Sequence, residues 1–314
     1  MAKRVFLFPG QGSQSVGMGK DLFETFPTAK AVYEEADEAM GFRLSGLCFE
    51  GPEEQLMLTA NTQPAVLTTS IAALRVLQEQ VDVEIAYVAG HSLGEYAALV
   101  CAGAMEFADA VRTVRKRGEF MQEAVPVGTG AMAAIIGLAQ AQVEALCQRV
   151  NRDDHIVTLA NMNSPGQYVI SGHVAAVNEV IELTKAQGAK RAIPLAVSAP
   201  FHSPLMRPAA ERLESVLQHV SFHDLRIPLM NNAEASVITS GVEARSSLVR
   251  QMYKPVEWEL SMRRVCDLGG SVFVEIGPGK VLTGLLKRIE KTVECLNVSD
   301  VATLDKVVQS FIAE

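Results

Sequence analysis

A chain of 314 residues, 48% hydrophobic and 20% charged, has room for one large core or for a core with a smaller companion domain, and this composition excludes wholesale disorder, collagen-like repeats and coiled coil. The 28 Lys and Arg against 36 Asp and Glu leave a net charge of −8. That excludes a general nucleic-acid binder, which needs a basic surface to displace counterions, but leaves room for a local basic patch facing an anionic partner.

The five cysteines, Cys48, Cys101, Cys147, Cys266 and Cys295, are scattered and form no CxxC pair. They fit neither a disulfide framework nor a zinc site, and point to a reducing cytosol. Lys3 and Arg4 precede only Val5-Phe6-Leu7-Phe8 before Pro9-Gly10, a run shorter than a signal-peptide apolar region. With no apolar run of membrane-spanning length either, a cytoplasmic protein without membrane contact is expected.

Short β-branched or aromatic runs alternate with longer helical patterns, which predicts an α/β fold. A strand at residues 4–8 ends in the turn Pro9-Gly10-Gln11-Gly12-Ser13-Gln14. Helices are predicted at 28–40 and 62–80, the latter with Pro64 in its first turn. A strand at 85–89 runs into Gly90-His91-Ser92-Leu93-Gly94, and helices follow at 95–101 and 107–124. Between Pro126 and Pro194 the rhythm changes to strand (131–136), helix (142–150), strand (156–160), strand (167–171), helix (174–187) and strand (190–194). This βαββαβ order predicts a ferredoxin-like insertion at 127–195, hinged near Gly128, Gly130 and Pro194, within a large domain made of 1–126 and 196–314. The large-domain pattern then resumes with a helix at 204–219, a strand at 227–230, helices near 244–253 and 258–268, a strand at 271–276, and a helix ending at 289.

Gly90-His91-Ser92-Leu93-Gly94 has the G-x-S-x-G form, with an apolar strand before it and a helix after it, as a nucleophile elbow requires. Two glycines permit a sharp turn that presents the Ser92 hydroxyl, and the helix N-terminus beyond offers N–H groups to a developing oxyanion. Such a serine needs a base. Of the six histidines, His155 and His173 fall in the insertion, and His219 and His223 read as solvated. His91 adjoins the nucleophile, where neighbours point apart. His202, in the loop 198–204 between a strand and a helix, occupies the kind of position where sites cluster. No acid to orient it is legible. Asp224 is a candidate that the element order does not bring near, and an amide or a main-chain carbonyl can hold the imidazole instead. Arg117 shares a helical stripe with Met121 and Ala124, so a cation among apolar residues is a candidate for pairing a carboxylate. Gly277-Pro278-Gly279-Lys280-Val281 lacks the elements of a phosphate loop, and Gly10-Gln11-Gly12 lacks the third glycine of a dinucleotide fingerprint. No clustered ligand set suggests a metal.

Phe8-Pro9-Gly10-Gln11-Gly12-Ser13-Gln14, Gly90-His91-Ser92-Leu93-Gly94-Glu95-Tyr96, the Arg117-Gly118-x-Phe120-Met121-Gln122 segment, Asn163-Ser164-Pro165-Gly166-Gln167 and Glu275-x-Gly277-Pro278-Gly279 occur in this order. Together they closely resemble the bacterial malonyl-CoA–acyl-carrier-protein transacylase family, over the full length and including the insertion. The resemblance implies a large α/β-hydrolase-like domain with a parallel central sheet and a small ferredoxin-like one. It implies ping-pong transfer of a malonyl group from malonyl-CoA to the phosphopantetheine thiol of acyl carrier protein, supplying fatty-acid synthesis. Ser92 resembles the nucleophile and His202 the base. Gln11 and Leu93 resemble the main-chain oxyanion donors, and Arg117 the clamp on the malonyl carboxylate. Gln251 resembles the glutamine whose carbonyl holds the histidine in place of a triad acid. Phe201 resembles a bulky residue that crowds branched substrates, and His91 and Met121 are expected to line the pocket.

Malonyl-CoA is then a substrate, and neither cofactor nor metal is expected. The partner is acyl carrier protein, and a monomer is expected. Because carrier proteins are acidic, docking is expected at local basic pairs, Lys190 with Arg191 and Lys287 with Arg288. A serine esterase or thioesterase of α/β-hydrolase type is the alternative; it shares the elbow but requires an Asp or Glu between Ser and His in sequence and a route for water, and the insertion and Arg117 disfavour it. A non-catalytic carrier-protein-binding subunit is a further alternative, disfavoured by the intact Ser92, His202 and Arg117.

Overall fold

In the computed structural model, the strands predicted at 4–8, 85–89, 227–230 and 271–276 lie side by side in one sheet. The structure describes residues 2–197 and 199–312. Met1, Ala313 and Glu314, at the ends of the expected large domain, and Ser198, in the loop before His202, lie outside the described residues. The chain begins with β1 (Lys3–Phe8), α1 (Lys20–Thr25), α2 (Pro27–Met40), α3 (Leu44–Glu50), α4 (Glu53–Leu56), α5 (Thr59–Gln80), β2 (Ile85–Gly90), α6 (Gly94–Cys101) and α7 (Phe107–Glu123). A second group follows: β3 (Gly130–Ile136), α8 (Gln140–Val150), β4 (Val157–Ser164), β5 (Gln167–His173), α9 (Val174–Ala186) and β6 (Arg191–Pro194). After a 3-10 turn at Pro204–Met206 come α10 (Arg207–Leu217), β7 (Leu229–Met230), β8 (Val237–Ile238), α11 (Gly241–Gln251), α12 (Trp258–Asp267), β9 (Gly270–Ile276), α13 (Val281–Ile289), β10 (Glu294–Val298) and α14 (Val301–Ile312).

The larger sheet has the order β10-β9-β1-β2-β7-β8. Its first five strands are parallel, and β8 turns back antiparallel on β7. A parallel sheet needs cover on both faces, and the sequence of β1 supplies apolar residues for both. Phe6 and Phe8 enter one buried cluster while Val5 and Leu7 enter the other, as the two-residue period of a strand dictates. Each such side chain contributes roughly 1.5–3 kcal/mol on burial.

The second sheet has the order β4-β5-β3-β6 with every neighbour antiparallel. Along β3, Ala133 and Ile135 pack into a cluster with α8 and α9, whereas Met132 faces the main core. One face of this sheet therefore carries its own core and the other covers the larger body. The two parts are also joined through main chain: Met162 N–H donates to the Val256 carbonyl at 3.0 Å, and Val256 N–H to that of Ala160 at 2.8 Å.

Several sequence expectations are corrected here. The helix expected from residue 62 begins at Thr59, so Pro64 lies inside it rather than in its first turn. The helix expected at 204–219 is divided into a 3-10 turn and α10, and the strand at 227–230 shortens to Leu229–Met230. The α/β pattern does not close at residue 289, because β10 pairs with β9 and α14 follows. Among the described residues, no helix is long and apolar enough to cross a membrane.

Candidate active site

The chemistry gathers at the carboxyl ends of β1 and β2, where an open parallel sheet leaves a crevice. Two tight loops meet there, and glycine is what lets them meet. A Cβ on Gly94 would overlap the Phe8 carbonyl, and one on Gly90 would overlap the main chain of Gly94. Between them Ser92 sits in the left-handed region at φ 51°, where a non-glycine residue is strained and the turn aims its side chain off the sheet. A cavity of about 130 Å³ opens over Ser92, and Gln11, Leu93, Met121 and Phe201 line it. Among the described residues, the main-chain N–H groups of Gln11 and Leu93 carry no hydrogen bond. Both therefore remain available to an oxyanion.

His202 is 4% exposed and also left-handed, at φ 57°. Its Nε2 lies 2.7 Å from Ser92 Oγ, and its Nδ1 lies 2.8 Å from the main-chain carbonyl oxygen of Gln251. The carbonyl can only accept, so Nδ1 bears the proton and Nε2 is free to take the serine's. Burial first, and the Arg117 guanidinium second, push the His202 pKa down to about 3. The ring is neutral, the form a base requires. The hydrolase alternative needs a carboxylate at Nδ1, and a peptide carbonyl stands there instead. Asp224 is elsewhere, accepting the Gly241 N–H.

Arg117 is 1% exposed. Its Nη1 donates to Gln63 Oε1 at 2.8 Å, and its Nη2 to Gln251 Oε1 at 2.9 Å and to Ser92 Oγ at 3.0 Å. The helical stripe of α7 thus delivers a cation to the nucleophile itself. It is not left bare without a carboxylate, because two amide oxygens and the serine already accept from it. Burial lowers the Arg117 pKa, with Tyr96 and Glu95 acting against it.

His91, beside the nucleophile, turns toward the second sheet. Its Nε2 meets Asn163 Oδ1 at 2.8 Å and its ring packs on Trp258, while its edge lines the cavity. Burial lowers its pKa. Lys190, Arg191, Lys287 and Arg288 are exposed and do not line the cavity. Arg288 donates to Gln167 Oε1 at 2.6 Å, bridging α13 and β5.

Three participants were missed in the sequence. Asn232 accepts the Ser92 N–H at 2.7 Å and donates to the Gly90 carbonyl at 2.7 Å, pinning both sides of the elbow. Its signal was the amide pair Asn231-Asn232 just after β7, the strand beside β2. Glu95, quoted in the elbow motif without a role, is 0% exposed, and burial pushes its carboxyl up to about 7. Gln63 is an amide buried in the first half of α5, beside buried threonines and no other buried amide of that helix.

The chain matches the acyl transferase domain family over residues 5–309. It is 50% identical over 310 residues to the malonyl CoA-acyl carrier protein transacylase of Bacillus subtilis (strain 168), covering 99% of this chain and 98% of that relative. To the protein of the same name from Escherichia coli (strain K12) it is 50% identical over 292 residues, covering 93% and 94%. Its structure is similar to that of an acyl carrier protein S-malonyltransferase from Vibrio cholerae, with a TM-score of 0.95, 46% identity, and coverage of 98% of this chain and 100% of that one. It is similar as well to a chain from the complex of a type II PKS acyl-carrier protein with its malonyl-transacylase, with a TM-score of 0.96, 45% identity, and 98% and 100% covered.

Proposed function

The chain belongs to the malonyl CoA-acyl carrier protein transacylase family, and from that membership and the geometry of Ser92 we propose that it moves a malonyl group from malonyl-CoA to the phosphopantetheine thiol of acyl carrier protein through an ester on Ser92. The observation that carries this reading is the meeting of a base and a cation on one hydroxyl, His202 Nε2 at 2.7 Å and Arg117 Nη2 at 3.0 Å from Ser92 Oγ. A base alone serves any acyl group; a buried guanidinium beside the nucleophile selects one that bears an anion.

In the first half-reaction, Ser92 Oγ gives its proton to His202 Nε2 and attacks the thioester carbon. The negative charge that forms on the carbonyl oxygen is accepted by the N–H groups of Gln11 and Leu93. Collapse breaks the carbon–sulfur bond, and the leaving thiolate takes the proton from His202. In the second, the carrier-protein thiol, with an ordinary pKa near ~8.5, gives its proton to His202 and attacks the ester. Collapse releases the serine oxygen, which recovers the proton. The malonyl carboxylate against Arg117 offsets the charge that holds the His202 pKa down, so the bound substrate makes its own base stronger.

The two-sheet arrangement supports reading 1–126 with 196–314 as an α/β-hydrolase-like domain and 127–195 as a ferredoxin-like insertion. In the insertion, β4 and β6 flank the central pair β5-β3, with two helices on one face. The exposed pairs Lys190 with Arg191 and Lys287 with Arg288 are proposed to meet the acidic carrier protein. Arg288 does so from its bond to Gln167. Gel filtration tests the proposed monomer.

Intact-mass measurement after incubation with malonyl-CoA tests the reaction. A malonyl adduct is expected on the unaltered chain, absent from Ser92→Ala, and discharged by carrier-protein thiol. An adduct lost equally fast with and without that thiol would mean hydrolysis instead.

A further inference from the structure

The side chain of Gln251 touches almost every group at the site, and its orientation is imposed from below. Its Nε2 donates to the Ser92 carbonyl at 3.0 Å and to Glu95 Oε2 at 3.0 Å, and its Oε1 accepts from Arg117 Nη2 at 2.9 Å. A carboxylate oxygen and a peptide oxygen both accept, so the donor end of the amide must face them. The acceptor end is then left for the guanidinium. Turning the amide over would set oxygen against oxygen and N–H against a cation. The same Glu95 Oε2 accepts the Asn232 N–H at 2.9 Å, and Asn232 holds the elbow. Glu95 does not line the cavity, and among the described residues its Oε1 has no hydrogen-bond partner. A fully buried carboxyl is costly to keep, and neither step of the proposed reaction uses it.

We propose that Glu95 is a positioning residue for acyl selection: by fixing the Gln251 amide it aims the Arg117 guanidinium at the acyl group on Ser92. The inference rests on the proposed malonyl transfer. It separates two jobs within one residue, because His202 is held by the main-chain carbonyl of Gln251, at the end of α11, and Arg117 by its side chain. Disturbing Glu95 therefore affects the clamp more than the base.

The test measures kcat/KM for Ser92 acylation by malonyl-CoA and by acetyl-CoA, on the full chain and on E95A, E95Q, Q251M and the double variant E95A/Q251M. Because Glu95 acts on Arg117, E95A is expected to lower the malonyl-to-acetyl ratio by about tenfold, one to two hydrogen bonds' worth of discrimination. E95Q can still present a carbonyl oxygen to Asn232 and Gln251, so it is expected to recover at least half of that loss on a logarithmic scale. Q251M should lose the ratio by a similar factor, and adding E95A to it should change the ratio by less than about twofold, the mark of a single path. Equal falls for both acyl groups in E95A, or losses that multiply in the double variant, would overturn the proposal. If E95A does not fold, Glu95→Asp, which withdraws the carboxylate by one methylene, replaces it in the same comparison. An unaltered chain that forms no malonyl ester would defeat the functional reading rather than this one, and acetyl acylation would still report on the elbow.

Discussion

Removing the guanidinium in Arg117→Ala should change two things at once. Arg117 already donates to Gln63, Gln251 and Ser92, so a malonyl carboxylate does not rescue an unpaired charge; it exchanges neutral acceptors for a charged one. Taking that exchange as about 1.5 kcal/mol per hydrogen bond and two bonds per carboxylate gives about 3 kcal/mol, or about a hundredfold in rate. The variant is expected to lose about that factor for malonyl-CoA relative to acetyl-CoA. It should also shift the pH profile. Burial and Arg117 together hold His202 at about 3, and a base works only unprotonated. With the cation gone the His202 pKa rises, so the acid limb of acylation moves to higher pH. It stays below the ordinary 6.5, because burial, the larger cause, remains. Quenched-flow acylation with intact-mass detection, run with both thioesters from about pH 4 to about pH 8, reads both effects. Equal losses for the two thioesters, together with an unmoved acid limb, would refute the argument.

Two further outcomes are expected. His202→Ala should abolish acylation, whereas Gln251→Ala, which keeps the main-chain carbonyl at Nδ1, should retain base catalysis and lose chiefly malonyl preference; single-turnover rates compare them, and equal loss of both thioester activities in the two variants would contradict that division. Glu95 has a folded pKa raised from 4.5 to about 7 by burial, with Asn232, Gln251 and Arg117 opposing it and Glu234 adding to it. Its contribution to stability is then full below its ordinary value and is lost as pH rises through 7. Denaturant unfolding of Glu95→Gln against the unaltered chain should favour the variant by up to ~3 kcal/mol more at pH 8 than at pH 5, and a difference that does not vary with pH would count against a raised carboxyl.

Much of the architecture was legible because it is encoded locally. The apolar run Val5 to Phe8 announced a strand, and the glycines around Ser92 announced a sharp turn; the structure adds that the strand is covered on both faces and that a Cβ at Gly90 or Gly94 would meet main chain. The order of elements after Pro126 gave the connectivity of the second sheet. One legible element was passed over. Helix α14 has apolar residues at 304, 307 and 311 and a cap in which Asp300 Oδ1 accepts the Thr303 N–H at 2.8 Å, all within reach of sequence patterning.

What only the tertiary structure decided was how the charges are held. The resemblance pointed to Ser92, His202, Arg117 and Gln251, but not to the division of Gln251 between a carbonyl for the base and an amide for the cation. Nor could it give roles to Glu95, Asn232 and Gln63. Glu95 meets Asn232 across 137 positions and Gln251 across 156. Periodicity describes which face of an element is apolar, and so stops at the element's end. A polar residue's role depends on which donors and acceptors the fold brings within about 3 Å of it, and here those partners come from five separate elements: α5, α6, α7, the turn after β7 and the end of α11.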